Sequence, residues 1–210
     1  AELLQRALEE SNQQQELQRA ELETLATRDP LTGLFNRREF VRLAEEELAR
    51  ARRNHSALSL LMIDLDHFKT INDRFGHPTG DDVLRNVADL MERSVRQTDR
   101  VARFGGEEFM LLLPDTSAAD ALHLANKLRQ KLADTPIASI GAPVTASMGL
   151  ACMPAGKTLA LDTLLRQTDR ALYQAKHMGR NRTVVAPVEL ETLASAHHPS
   201  TTHKTNTPAP

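Results

Sequence analysis

Apolar and polar positions change period along the chain, and the changes mark out helices and strands. From Ala1 to Thr27 the chain is rich in Glu, Gln, Leu and Arg and has no Gly or Pro. Leu3, Leu4, Leu8, Leu17, Leu22 and Leu25 recur near helical spacing, while Ser11, Gln14 and Gln18 interrupt a heptad seam. One helix is expected, either solvated alone or paired in a signal-carrying coiled coil. Pro30 and Gly33 end it, and Asn36 is placed to cap a helix from Arg37 to about Arg53. Ala57 to Asp66 is compactly apolar and ends in acid, as a buried strand does. A short helix is expected from Phe68 to Arg74, then a turn at Gly76, Pro78 and Gly80, then a helix capped by Asp81 and running to about Gln97.

Val101–Phe104 and Phe109–Leu113 flank Gly105-Gly106, which predicts a hairpin with glycines at positive φ. Ser117–Ala133 is amphipathic, with Leu122, Ala125, Leu128 and Leu132 on one face. Val144–Cys152 predicts a strand and Asp162–His177 a helix. Thr183–Ala186 predicts a last short strand, and from about Ala194 the Ser, Thr, His and Pro content predicts disorder. Alternating helices and strands with one hairpin give a sheet covered by helices, not a bundle.

Composition narrows the chemistry. The 210 residues carry a formal net charge of -2, which argues against a general binder of nucleic acid or acidic membranes. Any anionic ligand must be held by a local cluster. Aromatic content is 3%, so the core is built from Leu, Val, Ile, Met and Ala. The single Cys152, in an apolar stretch, excludes an intrachain disulfide and a Cys-rich zinc site, and reads as a small buried hydrophobe. No apolar run approaches the ~20 residues that span a bilayer, and no signal peptide is visible. The chain reads as cytoplasmic, including as the cytoplasmic portion of a larger membrane-associated sensor, since it opens in mid-helix. Gly156-Lys157-Thr158 has the ending of a phosphate-binding loop, but Ala151 stands where its first glycine belongs. His197, His198 and His203 belong to the polar tail, His77 to a turn and Tyr173 to the core.

The candidate chemistry lies at two strand ends. Asp64 and Asp66 close one strand, and Glu107 and Glu108 open another behind bare glycines. Acids at strand ends are commonly just solvated. If these strands are neighbours, however, the carboxylates converge and repel unless a hard cation such as Mg²⁺ or Mn²⁺ stands among them.

Four ordered segments carry a resemblance. Gly105–Phe109 (GGEEF) is similar to the signature of the GGDEF-domain diguanylate cyclases. Asp29–Arg38 (DPLTGLFNRR), Asp64–Asp81 (DLDHFKTINDRFGHPTGD) and Asp169–Asn181 (DRALYQAKHMGRN) resemble that family's other motifs, so the likeness runs from about Arg28 to Val185. It implies an α+β fold: a central, mostly antiparallel sheet flanked by helices, of the nucleotidyl-cyclase and polymerase-palm kind. The signalling helix would then occupy 1–27, the cyclase domain 28–188 and a flexible tail 189–210.

The resemblance also implies a reaction. Two GTP become cyclic di-GMP and two pyrophosphates across a homodimer in which each domain holds one GTP. Asp64, Glu107 and the Leu65 carbonyl match the metal ligands. Glu108 matches a residue that either assists deprotonation of the 3'-hydroxyl or holds a second metal. Asn72 and Asp81 match the guanine readers, whose acceptors suit the N–H pattern of guanine and not of adenine. Lys69, Lys176 and Arg180 match triphosphate contacts, with Lys176 and Arg180 expected one helical turn apart on one face. Backbone N–H groups around His67 and Phe68 complete the cradle, and Gly105 and Gly106 clear room for substrate. Arg96 and Asp99 match an inhibitory site for the cyclic di-GMP product. No nucleic acid polymer is implied, and an upstream sensor or membrane domain is expected. A catalytically silent nucleotide sensor, a cyclase of altered base choice and a purely structural dimerisation element are the rivals.

Overall fold

The computed structural model describes residues 2–187. The expected disorder from Ala194, the tail 189–210 and the tail histidines lie outside the described residues. Among the described residues, six strands form one sheet in the order β1-β3-β4-β2-β5-β6. In chain order the elements are α1 (Glu2–Thr27), β1 (Phe35–Asn36), α2 (Arg37–Asn54), β2 (Leu58–Leu65), α3 (Phe68–Phe75), α4 (His77–Glu92), β3 (Arg100–Gly105) and β4 (Glu108–Pro114). Then follow α5 (Ala118–Asp134), β5 (Ala146–Met153), α6 (Leu161–His177) and β6 (Thr183–Val185). The central pairings, β3–β4, β4–β2 and β2–β5, are antiparallel, while the edge pairings β1–β3 and β5–β6 are parallel.

β2 and β5 are buried along their whole length. Their near-continuous apolar runs cover both faces of the sheet. On one face Leu61, Ile63, Phe109, Leu111 and Met148 pack against Val83, Val87 and Met91 of α4 and Ala125 and Leu128 of α5. On the other, Leu60, Met62, Met110 and Leu112 pack against Phe40, Ala44 and Leu48 of α2 and Leu164 and Leu172 of α6. Cys152 lies buried at the sheet, as expected.

Local signals explain most boundaries. Asn36 caps α2 by accepting from the Glu39 N–H at 3.0 Å, and its amide donates to the Ala26 carbonyl at 2.9 Å, tying the end of α1 to the sheet. Ser117 caps α5 in the same way. Three expectations are overturned here. The region 76–80 is not a loop: α4 begins at His77, Pro78 occupies its first turn where a missing N–H costs nothing, and Asp81 lies inside the helix instead of capping it. Gly76, at φ 86°, makes the corner with α3. Tyr173 is not core: it is 61% exposed and stacks on His177 with ring centroids 3.9 Å apart. The third concerns Gly105 and Gly106, neither of which has positive φ; the hairpin is shaped by a register shift between Arg103 and Gly105.

Candidate functional site: an acidic strand row under a basic helix end

Strand alternation sets the site. Leu58, Leu60 and Met62 of β2 enter the α2–α6 core, so Asp64 continues that face; Met110 and Leu112 do the same for Glu108 on β4. The register pairs Asp64 with Glu108 on one side and with Ser147 on the other. Like charges directly opposite across two strands are destabilising. Lys176, in the last turn of α6, reaches down to this row and donates to Asp64 Oδ2 at 2.7 Å. Burial pushes the Asp64 carboxyl above its ordinary value; Lys176 opposes this, Asp66 adds to it and Arg180 counters it. Burial likewise raises the Glu108 carboxyl, helped by Asp64, Glu107 and Asp169 and opposed by Lys176.

Glu107 stands on the turn itself, and its carbonyl accepts the Leu65 N–H at 3.3 Å, so the two acidic segments are joined by backbone. A clamp that the sequence did not announce holds this turn. Arg103 donates from Nε and Nη2 to the Gly106 carbonyl at 3.0 and 2.8 Å, and from Nη1 to Asp29 Oδ1 at 3.2 Å. Burial pulls the Asp29 carboxyl upward, but bonds from Thr32 and the Arg103 charge outweigh it, leaving it below the ordinary value. Gly105 matters sterically: a Cβ there would stand 3.0 Å from Glu108 Oε2.

The other matched residues ring this row. His67 precedes α3 in a left-handed conformation at φ 58°. The first N–H groups of α3, those of Phe68 and Lys69, have no carbonyl within their own helix to bond. The Phe68 side chain is buried, and Lys69 is exposed on the first turn. Asn72 lies where α3 meets α4. Its Oδ1 is buried without a hydrogen-bond partner, and a Cβ on Gly80 would stand 1.8 Å from it. Asp81 follows, half-buried.

Two expectations about the basic and acidic groups change. Lys176 and Arg180 do not share a helix face, because α6 ends at His177 and Gly179 turns the chain at φ 108°. Arg180 sits beyond that corner, at φ 61°, yet its charge still bears on Asp64. Asp66 is engaged apart from the Asp64–Glu108 pair: its carboxylate accepts from Thr145, Ser147 and the Asn181 N–H, while its charge still bears on Asp64.

Arg96 and Asp99 lie away from this row. The Asp99 carboxylate accepts the Arg96 N–H at 2.9 Å, which closes the turn and leaves the Arg96 side chain exposed. Burial raises the Asp99 carboxyl, with Arg96 and Arg100 opposing. The adjoining pocket is also lined by His123 and Lys127 of α5. No sequence signal singled these out, since each is an ordinary polar position on an amphipathic helix.

The donor set fits a small hard dication. Two opposed carboxylates, a third on the adjoining turn and a backbone carbonyl offer oxygen only, the preference of Mg²⁺, which leaves positions for water and phosphate. A cation seated there would relieve the penalty of opposing Asp64 and Glu108. Among the described residues, no three His, Cys, Asp or Glu side chains form a ready-made cage.

Known proteins share both sequence and shape. The family described as "Diguanylate cyclase, GGDEF domain" matches residues 26–182. Diguanylate cyclase DgcP of Pseudomonas aeruginosa is 43% identical over 163 residues, 77% of this chain and 24% of the relative. Response regulator PleD of Caulobacter vibrioides is 41% identical over 164 residues, 76% of this chain and 36% of the relative. The chain thus spans about a quarter to a third of these two relatives' length. The solved coiled coil and GGDEF domain of DgcB from Caulobacter crescentus, in complex with c-di-GMP, superposes with a TM-score of 0.75 at 31% identity, covering 87% of this chain and 99% of that one. The active GGEEF domain of a diguanylate cyclase from Vibrio cholerae superposes at 0.69 with 36% identity, covering 73% of this chain and 98% of that one. With the family match running through the GGEEF turn, the acidic row and the basic helix end, the chain belongs to the GGDEF-domain diguanylate cyclase family.

Proposed function

We propose that this domain condenses two GTP into cyclic di-GMP and two pyrophosphates. The observation that carries the reading is the register pairing of Asp64 with Glu108, with Glu107 on the adjoining turn and Lys176 bonded to Asp64. Like charges opposed across two strands are destabilising, and Lys176 bonds only one of the two acids, so a second cation beside Glu108 and Glu107 would relieve the rest.

Asp64, Glu107 and the Leu65 carbonyl would hold Mg²⁺ or Mn²⁺; such an ion neutralises triphosphate charge and aligns the in-line attack. The chain's own groups do the rest. Lys176, Lys69 and Arg180 bind the phosphates, supported by the first N–H groups of α3. Asn72 and Asp81 read guanine, and the orphaned Asn72 acceptor suits an N–H donor on the base. Glu108, with its carboxyl raised by burial and neighbouring acids, either takes the proton of the attacking 3'-hydroxyl or serves a second ion. Each domain supplies one nucleotide, so two domains must face each other. Leu17, Leu22 and Leu25, exposed along α1, provide apolar surface for pairing. Arg96 and Asp99, with Lys127 and His123 beside them, form the place where product would bind and restrain the domain. No helix among the described residues is long and apolar enough to cross a membrane.

The test is incubation with GTP and Mg²⁺ at several protein concentrations, with chromatographic identification of products. Cyclic di-GMP is expected, with specific activity rising as protein concentration rises. Asp64→Ala and Glu107→Ala should each cut turnover at least ~100-fold while leaving the far-ultraviolet circular dichroism unchanged. Full activity in either variant would falsify the metal assignment.

A further inference from the structure

Asp66 is 5% exposed, yet among the described residues no cation is bonded to its carboxylate. It is held by neutral donors alone. Ser147 Oγ donates to Oδ1 at 2.6 Å, Thr145 Oγ1 to Oδ2 at 2.8 Å and the Asn181 N–H to Oδ2 at 3.0 Å. Its own N–H donates to the Thr145 carbonyl at 2.9 Å. A buried carboxylate is costly unless charge-assisted bonds satisfy it, so this residue has been fixed with some force at the end of β2.

What it holds is strained. Arg180 and Asn181 are consecutive non-glycine residues at φ 61° and 43°. A left-handed backbone is unfavourable for Arg180 and more readily adopted by Asn181, and such a pair persists where the surroundings over-determine it. The turn is pinned at several points. The Arg180 N–H reaches the Ala175 carbonyl at 3.0 Å, Arg129 donates to Asn181 Oδ1 at 2.9 Å, and Met148 N–H bonds the Arg182 carbonyl at 2.8 Å. Among the described residues, the Asp66 bond alone ties the backbone of this pair to the end of the strand that carries Asp64.

We propose that Asp66 is the positioning residue of Arg180: its buried carboxylate latches the left-handed Arg180-Asn181 turn to the ends of β2 and β5 and so aims the Arg180 guanidinium at the mouth where Asp64 stands. The second acid of the Asp-Leu-Asp segment is thereby a latch and not a ligand. This rests on the reading that Arg180 grips the triphosphate, and the experiment separates the two.

Binding of the non-cleavable α,β-methylene analogue of GTP with Mg²⁺ is measured by calorimetry for the wild type, Arg180→Gln, Asp66→Ala and the double variant. Exchange of the Asn181 amide hydrogen is followed by NMR in the same proteins. Each single variant should bind about tenfold more weakly, the scale of one charge-assisted bond, with no further loss in the double variant. Asn181 exchange should accelerate in Asp66→Ala and not in Arg180→Gln. Asp66→Asn keeps an acceptor for Thr145 and Asn181 and can turn its amide to the Ser147 hydroxyl, so it should restore most of the binding. Additive losses in the double variant, or unchanged exchange at Asn181, overturn the latch. Unchanged binding in Arg180→Gln removes Arg180 from the triphosphate reading, and the exchange alone then decides the latch. Should Asp66→Ala not fold, Thr145→Val with Ser147→Ala strips the carboxylate of both hydroxyl partners and carries the same expectations.

Discussion

Asp64 and Glu108 face each other across two paired strands, and Glu108 shows how that opposition sets a pH dependence. Burial, aided by Asp64, lifts its carboxyl above the ordinary 4.5. The unfolded chain then ionises Glu108 at lower pH than the folded one does. Stability from this group is therefore full below 4.5 and is lost as pH rises through the raised folded value. Glu108→Gln has no such loss. In metal-free protein its melting temperature should pull ahead of wild type as pH climbs above 4.5 and level off once the wild-type carboxyl is fully ionised; parallel profiles would contradict the raised value. Gly80 gives a second residue-scale prediction. Its Cβ would stand 1.8 Å from Asn72 Oδ1, so Gly80→Ala must push the amide aside. About tenfold weaker GTP binding is expected by calorimetry, the scale of one or two lost hydrogen bonds, and unchanged affinity would show that Asn72 does not read the base. The candidate acids, Asn72 and Asp81 could be named from the sequence, because their motifs stand whole in it. Gly80's role was not, since only the meeting of α3 and α4 makes it a contact.

At the scale of elements, period and caps carried the assignment far. The helices begin within one residue of Arg37, Ser117 and Asp162 because Asn36 and Ser117 cap two of them and the apolar stripe of α6 is regular. The failures have physical causes. Pro78 looked like a breaker but serves a first helical turn. Lys176 and Arg180 have helical spacing, yet Gly179 stops the helix between them. The strand β1 has only two residues, too few to show a period. Gly149 carries the prediction here. A Cβ on it would lie 2.2 Å from the Thr168 carbonyl oxygen and 2.3 Å from the Leu172 nitrogen, so α6 rests directly on β5 at this point. Gly149→Ala forces helix and strand apart, a backbone overpacking that costs about 2–3 kcal/mol and lowers the melting temperature by roughly 5–10 °C. An unchanged melting temperature would mean that α6 does not lie where Lys176 can meet Asp64.

Over the whole molecule the sheet separates two cores, and the site lies where both end. α3 and α4 come from one face with the matched guanine readers, and α6 comes from the other with Lys176. Contacts that assemble it join distant residues: Lys176 with Asp64, Arg103 with Asp29, Asn181 with Asp66. No local pattern announces such pairs, so the family resemblance supplied the residues while the clamp and the latch came only with the fold. The measurement that bears most directly on the proposed function is a crystal structure with Mn²⁺ and the α,β-methylene analogue of GTP, with the ion located by its anomalous scattering. The proposed function predicts a peak bonded to the Asp64 and Glu107 carboxylates, with the triphosphate running toward Lys176. An ion held elsewhere, with Asp64 still bonded only to Lys176, would contradict it.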